Sequence, residues 1–201
     1  AVSSWKLFCS LPKETKLPFT YENGAGFELK EEKGTRKDLK EDLLHRDFTI
    51  NTLALKLPAK KEFKNSLVDY YEALEDLKEG IIRITSESSF KEDYLRILRT
   101  FSLSAILKFK IDKKTLSLAR KSKDKLMDVA SERMRDELFK ILNLEDCTQY
   151  IKQLDKIGIL SRLIPQIELM RSLKQGPYHH LDVWGHSLET LKQFEILYSD
   201  L

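Results

Sequence analysis

Asp93, Arg96 and Arg99 fall three residues apart in FKEDYLRILRTFSL, residues 90–103, beside the apolar Leu95, Leu98 and Phe101. An ionised Asp only accepts hydrogen bonds and an Arg only donates them. Residues three apart on a helix are surface neighbours, so Asp93 and Arg96 can present an acceptor next to a donor. Cytosine and adenine each carry an exocyclic amine beside a ring-nitrogen acceptor and complement that edge. Uracil and guanine offer a carbonyl and an N–H at those places and meet like with like. A good bidentate pairing discriminates by about 1–3 kcal/mol. The bland alternative is an intrahelical ion pair on a solvated face, with about 0.3–0.5 kcal/mol at stake. Glu92, just before Asp93, reads as a solvated residue or a helix-start acid.

Three further stretches hold residues of chemical interest. In DLLHRDFTIN, residues 42–51, Arg46 can grip a phosphate or a carboxylate with two parallel bonds. Asn51 can bond a sugar hydroxyl or cap a turn, and the Arg46–Asp47 pair also suits a purely structural helix end. In GPYHHLDVWGHSLETL, residues 176–191, His179, His180, Asp182 and His186 crowd together. Asp182 and His186 are spaced for one helix face, but two ligands make no metal site, and a polar loop with an N-cap accounts for them equally. Residues 106–125 carry eight Lys or Arg against two Asp. That excess marks either a solvated helix face or a phosphate-contacting patch built on Lys108, Lys110, Lys113, Lys114, Arg120 and Lys121. The motifs GxxxxGK[ST], HExxH, CxxC and GxSxG are absent from the chain.

The elements that must position these residues change character along the chain. Asn23-Gly24 signals a tight turn between FTY and GFELK. RKDLKEDLLHRDF then shows helical spacing, INTLALKL runs from helix towards strand, and LVDYYEALEDLKEG reads as a strand, a helix and a glycine stop at Gly80. IIRIT, residues 81–85, completes the strands, and after Thr85 the patterning is helical throughout. Helices are expected at 87–107, 112–121, 131–143, 147–157 and 179–199. The fold class is therefore α+β, with a small head over 1–86 followed by helices from residue 87 onward.

The 201 residues suffice for a buried core, and the 33% charged content marks a globular chain. The net charge of +3 is too mild to argue a nucleic-acid partner from the total. Cys9 and Cys147 make neither a metal spacing nor a disulfide framework, which suits a reducing compartment. No apolar run reaches the roughly 18 residues of a membrane span, and the first residues lack the plan of a signal peptide. The cytoplasm is the expected location. The chain opens at Ala1 without Met, and LETLKQFEILYSDL has the look of an unfinished amphipathic helix, so we read it as a piece of something longer.

Taken in order, these stretches resemble the tRNA nucleotidyltransferase/poly(A) polymerase family, which includes the CCA-adding enzymes. EEKGTRKDLKEDLLHRDFTINTLAL is similar to a family segment ending RRDFTINALA, with His45 for the first Arg. LVDYYEALEDLKEGIIRI resembles DPFGGLEDLKNGIIR, with Tyr70, Tyr71, Glu72 and Ala73 replacing the Pro, aromatic and glycines. FKEDYLRILRTFSLSAILKFKID resembles EDPLRILRAVRFAAKLGFEID, and SERMRDELFKIL resembles the neck segment ERIRDELLKIL.

The resemblance implies a nucleotidyltransferase head over 1–86 with a mixed or antiparallel sheet, incomplete at its N-terminus, then a helical neck over 87–145 with the template helix and a helical body with the start of an HD-type domain over 146–201. It implies that Asp93 and Arg96 template the base of CTP or ATP, with Arg46, Asp47, Asn51 and Arg99 in the nucleotide site. Where the family commonly has a further Arg, this chain has Ser102. The lysines and arginines after residue 106 would face RNA phosphates at a tRNA 3′ end. The family's two Mg²⁺ ions are held mainly by a DxD segment that this sequence does not contain, leaving Glu28 as the candidate third carboxylate. His186 would be the first ligand of an HD domain with a second divalent metal. The activity implied is addition of CMP and/or AMP. Poly(A) addition, CC-only or A-only addition, a non-catalytic RNA-binding module and an HD-type phosphohydrolase are the alternatives.

Overall fold

The computed structural model describes residues 5–8, 29–32, 39–56, 67–173, 176 and 180–199. The chain divides into two compact units, one of residues 1–92 with 107–115, the other of residues 93–106 with 116–201. The expected FTY hairpin strand lies outside the described residues, as does Glu28.

In the first unit, β1 (Trp5–Phe8), β2 (Leu29–Glu32), β3 (Ala54–Lys56) and β4 (Leu67–Val68) form an antiparallel sheet in the order β2-β1-β3-β4. Helix α1 (Leu39–Leu44) precedes a 3₁₀ turn at Thr49–Asn51. Buried Leu43 of α1 and Ala54 of β3 form one cluster, with Leu39, Val68 and Tyr71 packed against it. Helix α2 (Ala73–Glu79) starts where the Asp69 carboxylate accepts from the N–H groups of Ala73 and Leu74, at 2.9 and 3.0 Å. That satisfies donors which a helix start leaves unpaired. It ends at Gly80, whose φ of 66° is the left-handed conformation glycine adopts freely.

Strand β5 (Ile81–Ile82) follows, and its partner corrects the sequence reading of helices only after Thr85. Strand β6 (Lys110–Ile111) pairs with β5 in parallel. Two residues are too few for an alternation pattern, so local sequence could not announce this strand. The unit is riveted by Asp76, whose buried carboxylate receives the Thr49 hydroxyl at 2.6 Å and two nitrogens of Arg83. Arg83 also reaches Asp112 at 3.1 Å.

The expected single helix over 87–107 is two, α3 (Ser89–Glu92) and α4 (Leu95–Leu107), the latter in the second unit. The break has a local cause: Asp93 Oδ1 accepts from the Leu95 N–H at 3.0 Å. An Asp that bonds forward to the backbone competes with helix continuation. Leu95, Ile97, Leu98, Phe101 and Ala105 are buried on α4. Helix α5 (Lys113–Ser122) leads through a 3₁₀ segment to α6 (Ser131–Leu142) and α7 (Cys147–Lys156). Two short helices not anticipated, α8 (Leu160–Leu163) and α9 (Gln166–Met170), precede α10 (Val183–Ser199). No described helix is long and apolar enough to cross a membrane.

Candidate functional site

In the first unit the sequence HRDFTIN forms a tight, buried knot. Phe48, Ile50 and Leu53 are buried, which fixes the turn between α1 and β3. Asp47 is itself buried, and its Oδ1 accepts from the Phe48 N–H at 2.9 Å and from Asn51 Nδ2 at 2.8 Å. Its carbonyl receives Thr85 N–H and the Ser89 hydroxyl. Asp47 and Asn51 therefore hold one another and the turn. The Arg46 guanidinium stands 3.6 Å from Asp42, while its carbonyl takes the Thr85 hydroxyl at 2.5 Å. His45 Nδ1 lies 2.7 Å from Oε1 of Glu92, which is exposed as expected.

In the second unit Asp93 heads α4, with Arg96 and Arg99 following on its half-buried side. The Arg96 N–H donates to the Asp93 carbonyl at 3.1 Å, while the Asp93 carboxylate is held from another helix. Its partner is Arg133 of α6, forty residues away, with Nη2 at 2.7 Å from Oδ2 and Nη1 at 3.4 Å from Oδ1. Burial alone would push the Asp93 carboxyl up. The hydrogen bonds from Arg133 and the Leu95 N–H, with the charges of Arg133 and Arg96, outweigh it and hold the carboxyl below its ordinary value. It thus stays an acceptor at neutral pH. Sequence reasoning missed Arg133 because an i,i+3 rule selects the nearest Arg. The only signal was its place in SERMRDELFKIL.

Ser102 is buried, and its hydroxyl donates to the buried carboxylate of Glu137 on α6. In this chain that position faces a neighbouring helix.

The basic residues are displayed as a face of α5. Lys113 and Lys114 recur seven residues later as Arg120 and Lys121, two rows about 10.5 Å apart along the axis. All four are exposed, while Thr115 and Ala119 on the other side are buried. Lys108 and Lys110 are exposed on either side of buried Phe109. Lys114 pairs with Glu87 at 2.7 Å.

His186 is exposed on α10, one turn after Asp182. The Asp182 carboxylate caps that helix, accepting from Gly185 N–H at 2.7 Å and from Ser172 N–H at 3.0 Å. Those bonds hold it below the usual carboxylate range. Among the described residues no three His, Cys, Asp or Glu side chains converge to hold a metal ion. The described carboxylates therefore do not make up a divalent-metal site.

Comparison with known proteins places this geometry. Residues 16–83 match the poly A polymerase head domain. Residues 108–170 match the family described as the probable RNA and SrmB-binding site of polymerase A, and so include every candidate RNA-facing residue. The chain is 32% identical over 190 residues to an A-adding tRNA nucleotidyltransferase of Deinococcus radiodurans, covering 85% of this chain and 42% of that one. A solved CCA-adding enzyme with CTP superposes with a TM-score of 0.58 at 33% identity, over 63% of this chain and 30% of that one. The Thermotoga maritima CCA-adding enzyme complexed with tRNA-CCA gives a TM-score of 0.59 at 31% identity, over 71% and 33%. The chain thus spans about two fifths of the Deinococcus relative and a third or less of these solved chains. With an α+β head followed by helices, and both family matches in the expected order, the chain belongs to the tRNA nucleotidyltransferase/poly(A) polymerase family.

Proposed function

We propose that this chain carries the base-selecting and RNA-facing part of a template-independent nucleotidyltransferase that transfers CMP and/or AMP from CTP or ATP to a tRNA 3′ end. One observation carries the proposal: the Asp93 carboxylate is held at the head of α4 by the Leu95 N–H at 3.0 Å and Arg133 Nη2 at 2.7 Å, three residues before Arg96. In this reading Asp93 accepts from the base amine and Arg96 donates to the ring nitrogen. Arg99 and Arg46 serve the phosphates and sugar. Asp47 and Asn51 shape the turn that presents Arg46. The exposed rows of α5, with Lys108 and Lys110, meet RNA phosphates, where charge rather than sequence sets affinity. A divalent metal would supply charge neutralisation at the attacked α-phosphate, with Glu28 a candidate ligand. His186 is a candidate ligand for a separate ion.

The test uses the intact gene product, a tRNA transcript lacking CCA, Mg²⁺, and the four nucleotides singly and together, read by product mass. Incorporation of C or A but not U or G, with that choice lost in Asp93→Ala, is the expected result. The length of the product separates CCA, CC-only, A-only and poly(A) addition. Tight tRNA binding without incorporation would instead leave an RNA-binding descendant of the family.

A further inference from the structure

We infer that Arg133, on α6, is a positioning residue that aims the Asp93 carboxylate at the incoming base and so sets base selectivity without touching the nucleotide. The inference rests on the base-reading role proposed above. An ionised carboxylate has about four acceptor directions. Three are occupied among the described residues: Oδ1 takes the Leu95 N–H at 3.0 Å and Arg133 Nη1 at 3.4 Å, and Oδ2 takes Arg133 Nη2 at 2.7 Å. One direction on Oδ2 is left, and the fork of Arg133 fixes where it points. Without the fork, the tie to Leu95 alone holds the group. A carboxylate torsion is broad and soft, so both oxygens would sweep a range of directions. An acceptor that wanders separates an amine from a carbonyl less sharply than one held still.

Two features argue against a merely structural ion pair. Arg133 lies in the first turn of α6, where a cation opposes the helix dipole, so it is not there for the sake of its own helix. The side chains are also 53% and 30% exposed, a range in which ion pairs add little stability. The α4–α6 contact already has a buried link in Ser102 and Glu137.

The experiment measures incorporation of C and A against U and G by the intact gene product and its Arg133→Gln, Arg133→Lys, Asp93→Ala and Arg133→Gln/Asp93→Ala variants, with thermal unfolding of each. Arg133→Gln is expected to keep its melting temperature and to lose discrimination roughly tenfold, the lower part of what one bidentate base contact supplies. Arg133→Lys, which keeps the charge but not the fork, should recover part of it. In the Asp93→Ala background, Arg133→Gln should remove nothing further, because its effect passes through Asp93. If Asp93→Ala loses discrimination but Arg133→Gln discriminates like wild type, the positioning role is overturned and base reading stands. Additive losses in the double variant overturn it too. If Asp93→Ala itself discriminates like wild type, base reading has failed, and Arg133 has nothing to aim.

Discussion

The Ser102 hydroxyl on α4 donates into the buried carboxylate of Glu137 on α6, whose other oxygen takes the Lys140 ammonium at 2.6 Å. The pair fastens two helices at a point water does not reach. Ser102→Ala removes one donor from a buried anion and should cost about 1–2 kcal/mol. Urea unfolding at neutral pH measures this. Nucleotide choice should not change, since neither residue is in the proposed base-reading pair.

Glu72 offers a gain in stability. It sits at the head of α2 with a φ of 58°, a left-handed conformation, at the place where the resembled family carries glycine. Such a backbone costs a side-chain-bearing residue about 1–2 kcal/mol, and glycine's extra freedom in the unfolded chain returns part of that. Glu72→Gly should therefore stabilise the protein by roughly 0.5–1 kcal/mol. A lowered denaturation midpoint would contradict the assignment of strain.

Cys147 should be chemically quiet. Burial, then the hydrogen bond to Glu195 and its negative charge, pushes the thiol from 9.0 up to about 12. At pH 8 iodoacetamide should leave Cys147 unmodified in the folded protein and modify it after denaturation, as peptide mass mapping would record. The sign for stability follows from a folded value above the unfolded one. The contribution is complete below pH 9 and fades as pH climbs from 9 towards 12. Alkylation at the rate of an exposed thiol would refute this.

The α5 lysines should differ in their effect on tRNA binding. Each phosphate contact adds about 0.7–0.9 to the slope of log affinity against log salt. Lys113→Gln should lower that slope by roughly one contact. Lys114→Gln should lower it less, because Glu87 already competes for Lys114 at 2.7 Å. Equal slopes for the two variants would show that the Glu87 pair does not persist in solution.

The sequence made some of these features legible and hid others, for physical reasons. Helices expected at 112–121, 131–143 and 147–157 are found at Lys113–Ser122, Ser131–Leu142 and Cys147–Lys156. Their apolar spacing and stops are local signals. The resemblance implied a mixed or antiparallel sheet in the head, and β1 to β4 are antiparallel, whereas β6 was not anticipated, because it exists only by virtue of a partner some thirty residues earlier. The residues Asp93 and Arg96 were visible as a donor–acceptor pair. Their real hydrogen bonding was not, since Leu95 and Arg133 take three of the acceptor directions of the Asp93 carboxylate. Tertiary contacts outcompete the nearest neighbour whenever another helix brings a better fork.

The return of residues 107–115 to the first unit has a consequence for biosynthesis. Lys110 pairs with Ile81, Asp112 receives Arg83, and the Thr115 hydroxyl receives the Ile84 N–H at 3.2 Å. Ring closure between Ile82 and Ile111 spans 111 − 82 = 29 residues, at an entropic cost of roughly 3 kcal/mol. The first unit therefore waits, with β5 lacking β6, until Thr115 has emerged from the ribosome. A ribosome that stalls earlier leaves that strand edge open to pairing with another nascent chain. Slow codons read before Thr115 has emerged would favour aggregation, and those read later would not.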